Sequence, residues 1–166
     1  MLEDLYRDII LDHYRNPQGA AAIPRPDHRA DGQNPLCGDE CSVGLTLDGD
    51  RVGEVEYRAR GCSISVASGS MMAGEIRGRS LAEVRALESA VKAMLQGRGK
   101  DGALDMGDLE ALEGVSKFPV RVKCALLPWS TLLEALSRPA RGGAAAASTE
   151  EPGDAAKAAA ARTGGA

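Results

Sequence analysis

Four cysteines and one carboxylate stand where they could do chemistry. Cys37-Gly38-Asp39 places a thiol and an acid on either side of a glycine, and Cys62 and Cys124 lie far along the chain. Zinc favours a tetrahedron of thiolate, imidazole or carboxylate ligands, and three thiols with one acid close such a shell. Gly38 gives the backbone the freedom to turn both of its neighbours toward one ion. Cys62 follows Gly61 where a strand pattern gives way to a helical one, and Cys124 precedes a run with helical spacing. Near a helix N-terminus, the dipole and the free amides favour the thiolate that a metal or an electrophile needs. Each residue also has a plainer reading. Asp39 is of a type that turns use routinely, and Cys62 could simply pack at a strand-to-helix junction. Cys41 falls in phase with Val43 and Leu45 on one face of a strand, so it is assigned to the core.

The remaining candidate ligands carry weaker signals. His13 lies on the apolar side of the first helix and reads as a satisfied core or interface histidine. His28, between Asp27 and Arg29 in a proline-rich stretch, reads as exposed, and Met71-Met72 reads as core.

Composition narrows the class of function. The 166 residues carry a formal net charge of -4 and only 3% aromatic side chains. A nucleic-acid partner would call for a basic stripe and stacking platforms, so none is expected. The first turn is acidic and no long apolar run follows it, which predicts neither a signal peptide nor a membrane span. The expectation is a cytoplasmic protein, where thiols stay reduced and serve as metal ligands or reactive groups rather than disulfides.

The elements that must position these groups can be read in turn. Leu2, Leu5, Ile9 and His13 follow helical spacing until Asn16-Pro17 stops the helix. Residues 18–36, with Pro24, Pro26 and Pro35, show no periodicity and predict an extended loop. From Cys41 to Leu47 and from Val55 to Ala59 apolar residues alternate about an Asp48-Gly49 turn, which predicts a hairpin that one more strand could join. Ile64, Ala67, Met71 and Met72 form a helix up to Gly78. Ser80 with Glu83 makes a capping box for a helix through Leu81, Val84, Leu87, Val91 and Leu95, closed by Gly97. Leu104 to Val115 holds one short helix around Leu109 and Leu112. Val120 and Val122 alternate ahead of Cys124, and a last helix runs through Leu126, Leu132, Leu133 and Leu136. Residues 1–138 thus form one domain, and 139–166, built of Ala and Gly with Ser, Thr and acids, read as a disordered tail.

Four segments carry a resemblance when taken together and in order. They are Asp12-His13-Tyr14-Arg15-Asn16-Pro17, Asn34-Pro35-Leu36-Cys37-Gly38-Asp39, Gly61-Cys62-Ser63-Ile64-Ser65 and Arg121-Val122-Lys123-Cys124-Ala125-Leu126. The chain over roughly residues 2–137 resembles the U-type iron-sulfur assembly proteins. Within them it is similar to the SufU branch: the stretch between Cys62 and Cys124 is long, and Lys123 stands where IscU scaffolds carry a histidine. The resemblance implies an α+β fold of the SufE/NifU kind, with a small, mostly antiparallel three-stranded sheet covered by helices on one side and the metal at an exposed end. It implies a zinc-dependent sulfurtransferase that takes persulfide sulfur from a SufS-type cysteine desulfurase and passes it to the SUF scaffold machinery. By the family's pattern Cys37, Asp39, Cys62 and Cys124 are the zinc ligands and Cys37 the sulfur acceptor. The residues agree with that choice, since Cys37 precedes Gly38 on a loop while its sulfur partners sit at helix starts. Arg121 and Lys123 are auxiliary candidates for holding nearby thiolates ionised, with solvated surface charge as the alternative.

Other readings stay open at this point. The same three cysteines, with Asp39 making the site labile, suit a scaffold for a transient 2Fe-2S cluster. A zinc-stabilised interaction module whose metal only holds the fold is another. Cys41 adds a further thiol that could substitute as a ligand or pair under oxidation.

Overall fold

The computed structural model describes residues 2–100 and 102–140. In chain order these form α1 (Leu2–Arg15), β1 (His28–Asn34), β2 (Asp39–Asp48), β3 (Arg51–Arg60), α2 (Ser63–Ile76), α3 (Leu81–Leu95), a 3₁₀ helix (Gly107–Lys117) and α4 (Pro119–Ser137). The strands make one antiparallel sheet in the order β1-β2-β3. This is the expected α+β architecture. Apart from Pro139 and Ala140, the tail expected over 139–166 lies outside the described residues.

The hairpin of β2 and β3 follows from alternation. Cys41, Val43 and Leu45 are buried on one face and register against Ala59, Tyr57 and Val55. On that face lies α2, which is buried continuously from Ser65 to Ala73. A helix buried on all sides needs small residues where neighbours approach, and α2 supplies them as Ser, Ala and Gly. A Cβ added at Gly69 would fall 1.9 Å from Cζ of Tyr57, whose hydroxyl donates to the Ser65 carbonyl at 2.7 Å. Trp129, Leu132 and Met71 complete the core where α4 meets α2. The capping box of α3 forms as expected, with Ser80 and Glu83 bonded reciprocally at 2.8 and 3.1 Å.

α1 is tied down through His13. Its ring is buried, with Nδ1 2.7 Å from Ser70 Oγ of α2 and Nε2 2.8 Å from Asp108 Oδ2 of the 3₁₀ helix. The Gln18 amide also donates to Ser70 Oγ at 2.8 Å, so the turn after α1 shares the same anchor. His13 is therefore the satisfied core histidine that its position on the apolar face indicated.

Local expectations are corrected in two places. Residues 18–36 are not one long loop, because His28–Asn34 form β1 and pair with Asp39–Leu45. Its sequence, HRADGQN, buries only Ala30 among apolar residues, and an edge strand held through its backbone leaves no alternation to read. His28 is consequently half-buried, with Nδ1 3.1 Å from the Ala135 carbonyl of α4. Val120 and Val122 belong to a helix rather than a strand: Pro119 occupies the first turn of α4, where its fixed φ and missing N–H suit helix initiation. Cys124 thus sits in the second turn, beyond the helix entrance. The short helix expected around Leu109 and Leu112 is present, as a 3₁₀ helix over Gly107–Lys117.

The Gly69 contact gives the first prediction. Gly69→Ala must displace Tyr57 or α2, and overpacking of this kind costs about 1–3 kcal/mol. Urea unfolding of the variant should show a lower midpoint with an unchanged slope. An unaltered midpoint would mean that the packing of Tyr57 on α2 yields freely.

Candidate metal centre

Three chain segments end at the same edge of the sheet. The turn from β1 to β2 carries Cys37: the Asn34 carbonyl accepts from the Cys37 amide at 3.1 Å and from the Gly38 amide at 2.8 Å. Gly38 adopts φ +73, a left-handed conformation that glycine enters without penalty. Asp39 opens β2 directly opposite Asn34. Beyond β3, Gly61 leads to Cys62, which is the N-cap of α2; its sulfur accepts from the Ser65 amide at 3.5 Å. Cys124 comes from α4, which packs across β1 and β2.

These segments bring Cys37, Asp39 and Cys124 together. One ligand atom from each lies within 4.8 Å of the other two, and the sulfurs of Cys37 and Cys124 are 3.1 Å apart. Cys62 joins through Asp39 rather than as a member of that mutual set. Its amide donates to Asp39 Oδ1 at 2.9 Å and its thiol lies 3.6 Å from Oδ2. Asp39 and Cys124 are fully buried, while Cys37 and Cys62 are half-buried. The wall that leaves room for the carboxylate is Gly61, where an added Cβ would stand 2.2 Å from Asp39 Oδ1. All four cysteines are free thiols.

The charges explain what the group can hold. Burial pushes the Cys124 thiol well above the usual thiol range, and the neighbouring Cys37, Asp39 and Cys62 push it further. The Arg121 guanidinium is raised in turn, first by its hydrogen bond with Cys124 and then by the charges of Cys62, Cys124 and Cys37. One exposed cation thus faces a cluster that bears several negative charges when ionised. Such a cluster calls for a further positive charge at its centre. Two sulfurs and a carboxylate oxygen this close together, with the Cys62 sulfur beside that carboxylate, are donors that suit zinc and its ligand bonds of about 2.0–2.3 Å. The residues therefore fit a zinc ion.

Arg121 stands at the site. Arg121 lines an open depression of about 630 Å³ with Leu36, Cys37, Cys62, Lys117 and Phe118, and Lys123, two residues on, is exposed on α4. Cys41 stays apart. It is buried in the core, its thiol donates to Thr131 Oγ1 at 3.4 Å, and burial pushes its pKa up to about 11, so it stays protonated at neutral pH. Two contributors escaped the sequence reading. Asn34 reaches Cys124 Sγ with its Nδ2 at 3.9 Å, a contact set by strand register. Leu36, Phe118 and Val120 form an exposed apolar rim around the thiols, visible only once the turn and α4 are brought together.

Comparison with known proteins agrees with this geometry. Residues 5–125 match the NifU-like N-terminal domain family. The zinc-dependent sulfurtransferase SufU of Bacillus subtilis is 41% identical over 137 residues, covering 82% of this chain and 92% of that protein. The iron-sulfur cluster assembly scaffold protein IscU of Streptococcus pyogenes is 35% identical over 139 residues, or 84% of this chain and 87% of that one. Among solved structures, a putative iron-sulfur cluster assembly scaffold protein for the SUF system from Fervidobacterium islandicum superposes with a TM-score of 0.73. The two are 32% identical, over 78% of this chain and 94% of that one. A NifU-like N-terminal protein from Brucella abortus gives a TM-score of 0.74 at 26% identity, over 82% and 95% of the two chains.

Two outcomes follow for metal binding. Gly61→Ala displaces the Asp39 carboxylate and should weaken zinc binding by about 10–100-fold, the usual cost of disturbing what orients a ligand; chelator competition measures this, and wild-type affinity would contradict it. Because the Cys124 thiol is held protonated at neutral pH, zinc uptake should expel protons and tighten as pH rises. Titration calorimetry in two buffers of different ionisation enthalpy reads the protons released, and identical heats in both would contradict it.

Proposed function

The chain belongs to the NifU-like N-terminal domain family, and from that premise we propose that it is a zinc-dependent sulfurtransferase serving iron-sulfur cluster assembly. It takes sulfur from the persulfide of a SufS-type cysteine desulfurase and passes it to the SUF scaffold machinery. Cys37, Asp39, Cys62 and Cys124 hold the zinc, and Cys37 receives the sulfur.

The observation that carries this reading is the inequality of the thiols. Cys124 is buried on a helix and Cys62 caps one, but Cys37 rides a glycine-hinged turn at the mouth of the depression. It is the sulfur that can move toward a partner while the others stay. When bound, zinc keeps thiols ionised at neutral pH without itself changing oxidation state. The Cys37 thiolate attacks the outer sulfur of the desulfurase persulfide. That S–S bond breaks, a new one forms on Cys37, and the desulfurase cysteine leaves as a thiolate, so the exchange consumes no net electrons. Arg121, close to the remaining sulfurs, offsets their charge while Cys37 is engaged.

The surroundings suit a protein donor. Leu36, Phe118 and Val120 are 70%, 59% and 58% exposed around the thiols. Such an apolar collar excludes water from the transfer when it is covered, and Lys117 and Arg121 add positive charge at its edge. Among the described residues no helix is long and apolar enough to cross a membrane, and a chemistry of free thiols belongs in the reducing cytoplasm.

A second reading is favoured by the relatives named as IscU scaffolds. On it, the same sulfurs carry a 2Fe-2S cluster during its assembly. Lys123, exposed on α4, stands where the resemblance places a histidine in IscU scaffolds, and that difference favours the transfer reading.

The transfer reading makes a double prediction. Cys37→Ala should abolish stimulation of a SufS-type desulfurase, and transfer at the wild-type rate would overturn the assignment of the acceptor. Leu36→Asp and Phe118→Asp should raise the KM for the desulfurase about tenfold or more while zinc content stays unchanged, since interface anchors typically contribute above 1 kcal/mol. An unaltered KM in both would remove the collar from the docking surface.

A further inference from the structure

Asn34 is the last residue of β1 and is 8% exposed, beneath the turn that carries Cys37. Its polar atoms are divided between two sulfur ligands. The side-chain Oδ1 accepts from the Leu36 amide at 3.2 Å, and the main-chain carbonyl accepts from the amides of Cys37 and Gly38. The side-chain Nδ2 points the other way, donating to Cys124 Sγ at 3.9 Å. Across the sheet Asn34 registers against Asp39. One buried amide therefore touches the turn of the sulfur that moves and the sulfur that stays, 3.1 Å from each other.

The residue type matters at both ends. A carboxylate here would add negative charge beside Asp39 and three thiols. An aliphatic side chain would leave the Leu36 amide without its side-chain acceptor and Cys124 without this buried donor. An amide supplies an acceptor for the turn and a donor for a thiolate, and N–H bonds to an ionised acceptor are stronger than those to a neutral one. The contact to Cys124 is long for a neutral thiol and should tighten when that sulfur is ionised.

We propose that Asn34 is a positioning residue that sets the balance between holding and releasing Cys37. Its carbonyl oxygens fix the turn that presents Cys37, and its amide hydrogens stabilise the charge on Cys124 that retains the metal. This rests on the transfer reading above but concerns a residue that is neither ligand nor acceptor. Outer partners of metal ligands commonly influence affinity by one to two orders of magnitude. Here a single side chain serves two ligands with opposite tasks.

Two variants of the full zinc-loaded chain separate those tasks. Asn34→Ser keeps an oxygen for the turn but is too short to reach Cys124, whereas Asn34→Ala removes both contacts. Both should weaken zinc binding about tenfold in chelator competition, at the lower end of the range for such partners. Only Asn34→Ala should speed iodoacetamide modification of Cys37, read by mass spectrometry of the Cys37 peptide, and it should lower kcat for desulfurase stimulation more than it changes KM. In the unmutated protein, the Asn34 side-chain amide protons should shift downfield in the NMR spectrum when zinc is added, a readout that does not depend on a variant folding. Wild-type zinc affinity in both variants, equal Cys37 modification rates in the two, or unmoved Asn34 amide protons would overturn the proposal. A wild-type chain that takes up no zinc would instead overturn the transfer reading beneath it.

Discussion

Negative charge gathered at one edge of the sheet is the constraint on which the rest of the molecule turns. Asp39 is buried, Cys124 is buried beside it, and Cys37 and Cys62 stand within reach of the pair. Left to themselves such groups resist ionisation: burial first, and the neighbouring thiols and carboxylate after it, raise the Cys124 thiol. A central divalent cation reverses that preference and turns mutual repulsion into a closed shell. The exposed Arg121 supplies part of the compensation from outside, where solvent weakens it.

The fold meets this constraint by bringing sulfurs to one edge from three different kinds of support. Cys62 is held by a helix cap, Cys124 by the buried face of α4, and Cys37 by a turn between neighbouring strands. The β1-β2 register then decides which side chains share the metal face, because Asn34, Asp39 and Cys41 occupy successive positions pointing the same way. Only Glu40 separates Asp39 at the site from Cys41 in the core, so the depth of the site is set by a single repeat of the pleat. The central helix α2 packs against α1, β3, α4 and the 3₁₀ helix and so frames this edge. A packed frame with one sulfur on a glycine-hinged turn suits the proposed sulfur transfer.

Much of this was legible in the sequence, and the exceptions have physical reasons. The Cys41-to-Leu47 alternation, the Asp48-Gly49 turn and the Ser80/Glu83 capping box each express a local rule, and each appears as read. The place of Cys62 at a strand-to-helix junction was visible because Gly61 interrupts one period and Ile64 begins another. β1 was not visible, since HRADGQN forms its ladder through backbone groups that any sequence carries. The start of α4 was obscured because β-branched Val120 and Val122 imitate a strand, and tertiary packing overrides that preference. Asn34 illustrates a deeper limit: Asn34-Pro35 marks a turn, but the bond to Cys124, ninety residues away, exists only because β1 and α4 pack together. Likewise Cys62 stands one contact outside the mutual group of Cys37, Asp39 and Cys124, a distinction that spacing along a chain does not carry.

The central claim is that a single zinc ion is shared by ligands from the turn, the helix cap and α4. X-ray absorption at the zinc edge of the protein as purified reads that shell directly. Stoichiometric zinc surrounded by three sulfurs at about 2.3 Å and one oxygen near 2.0 Å is the expected result. A shell dominated by light atoms, or a protein isolated without the metal, would contradict it.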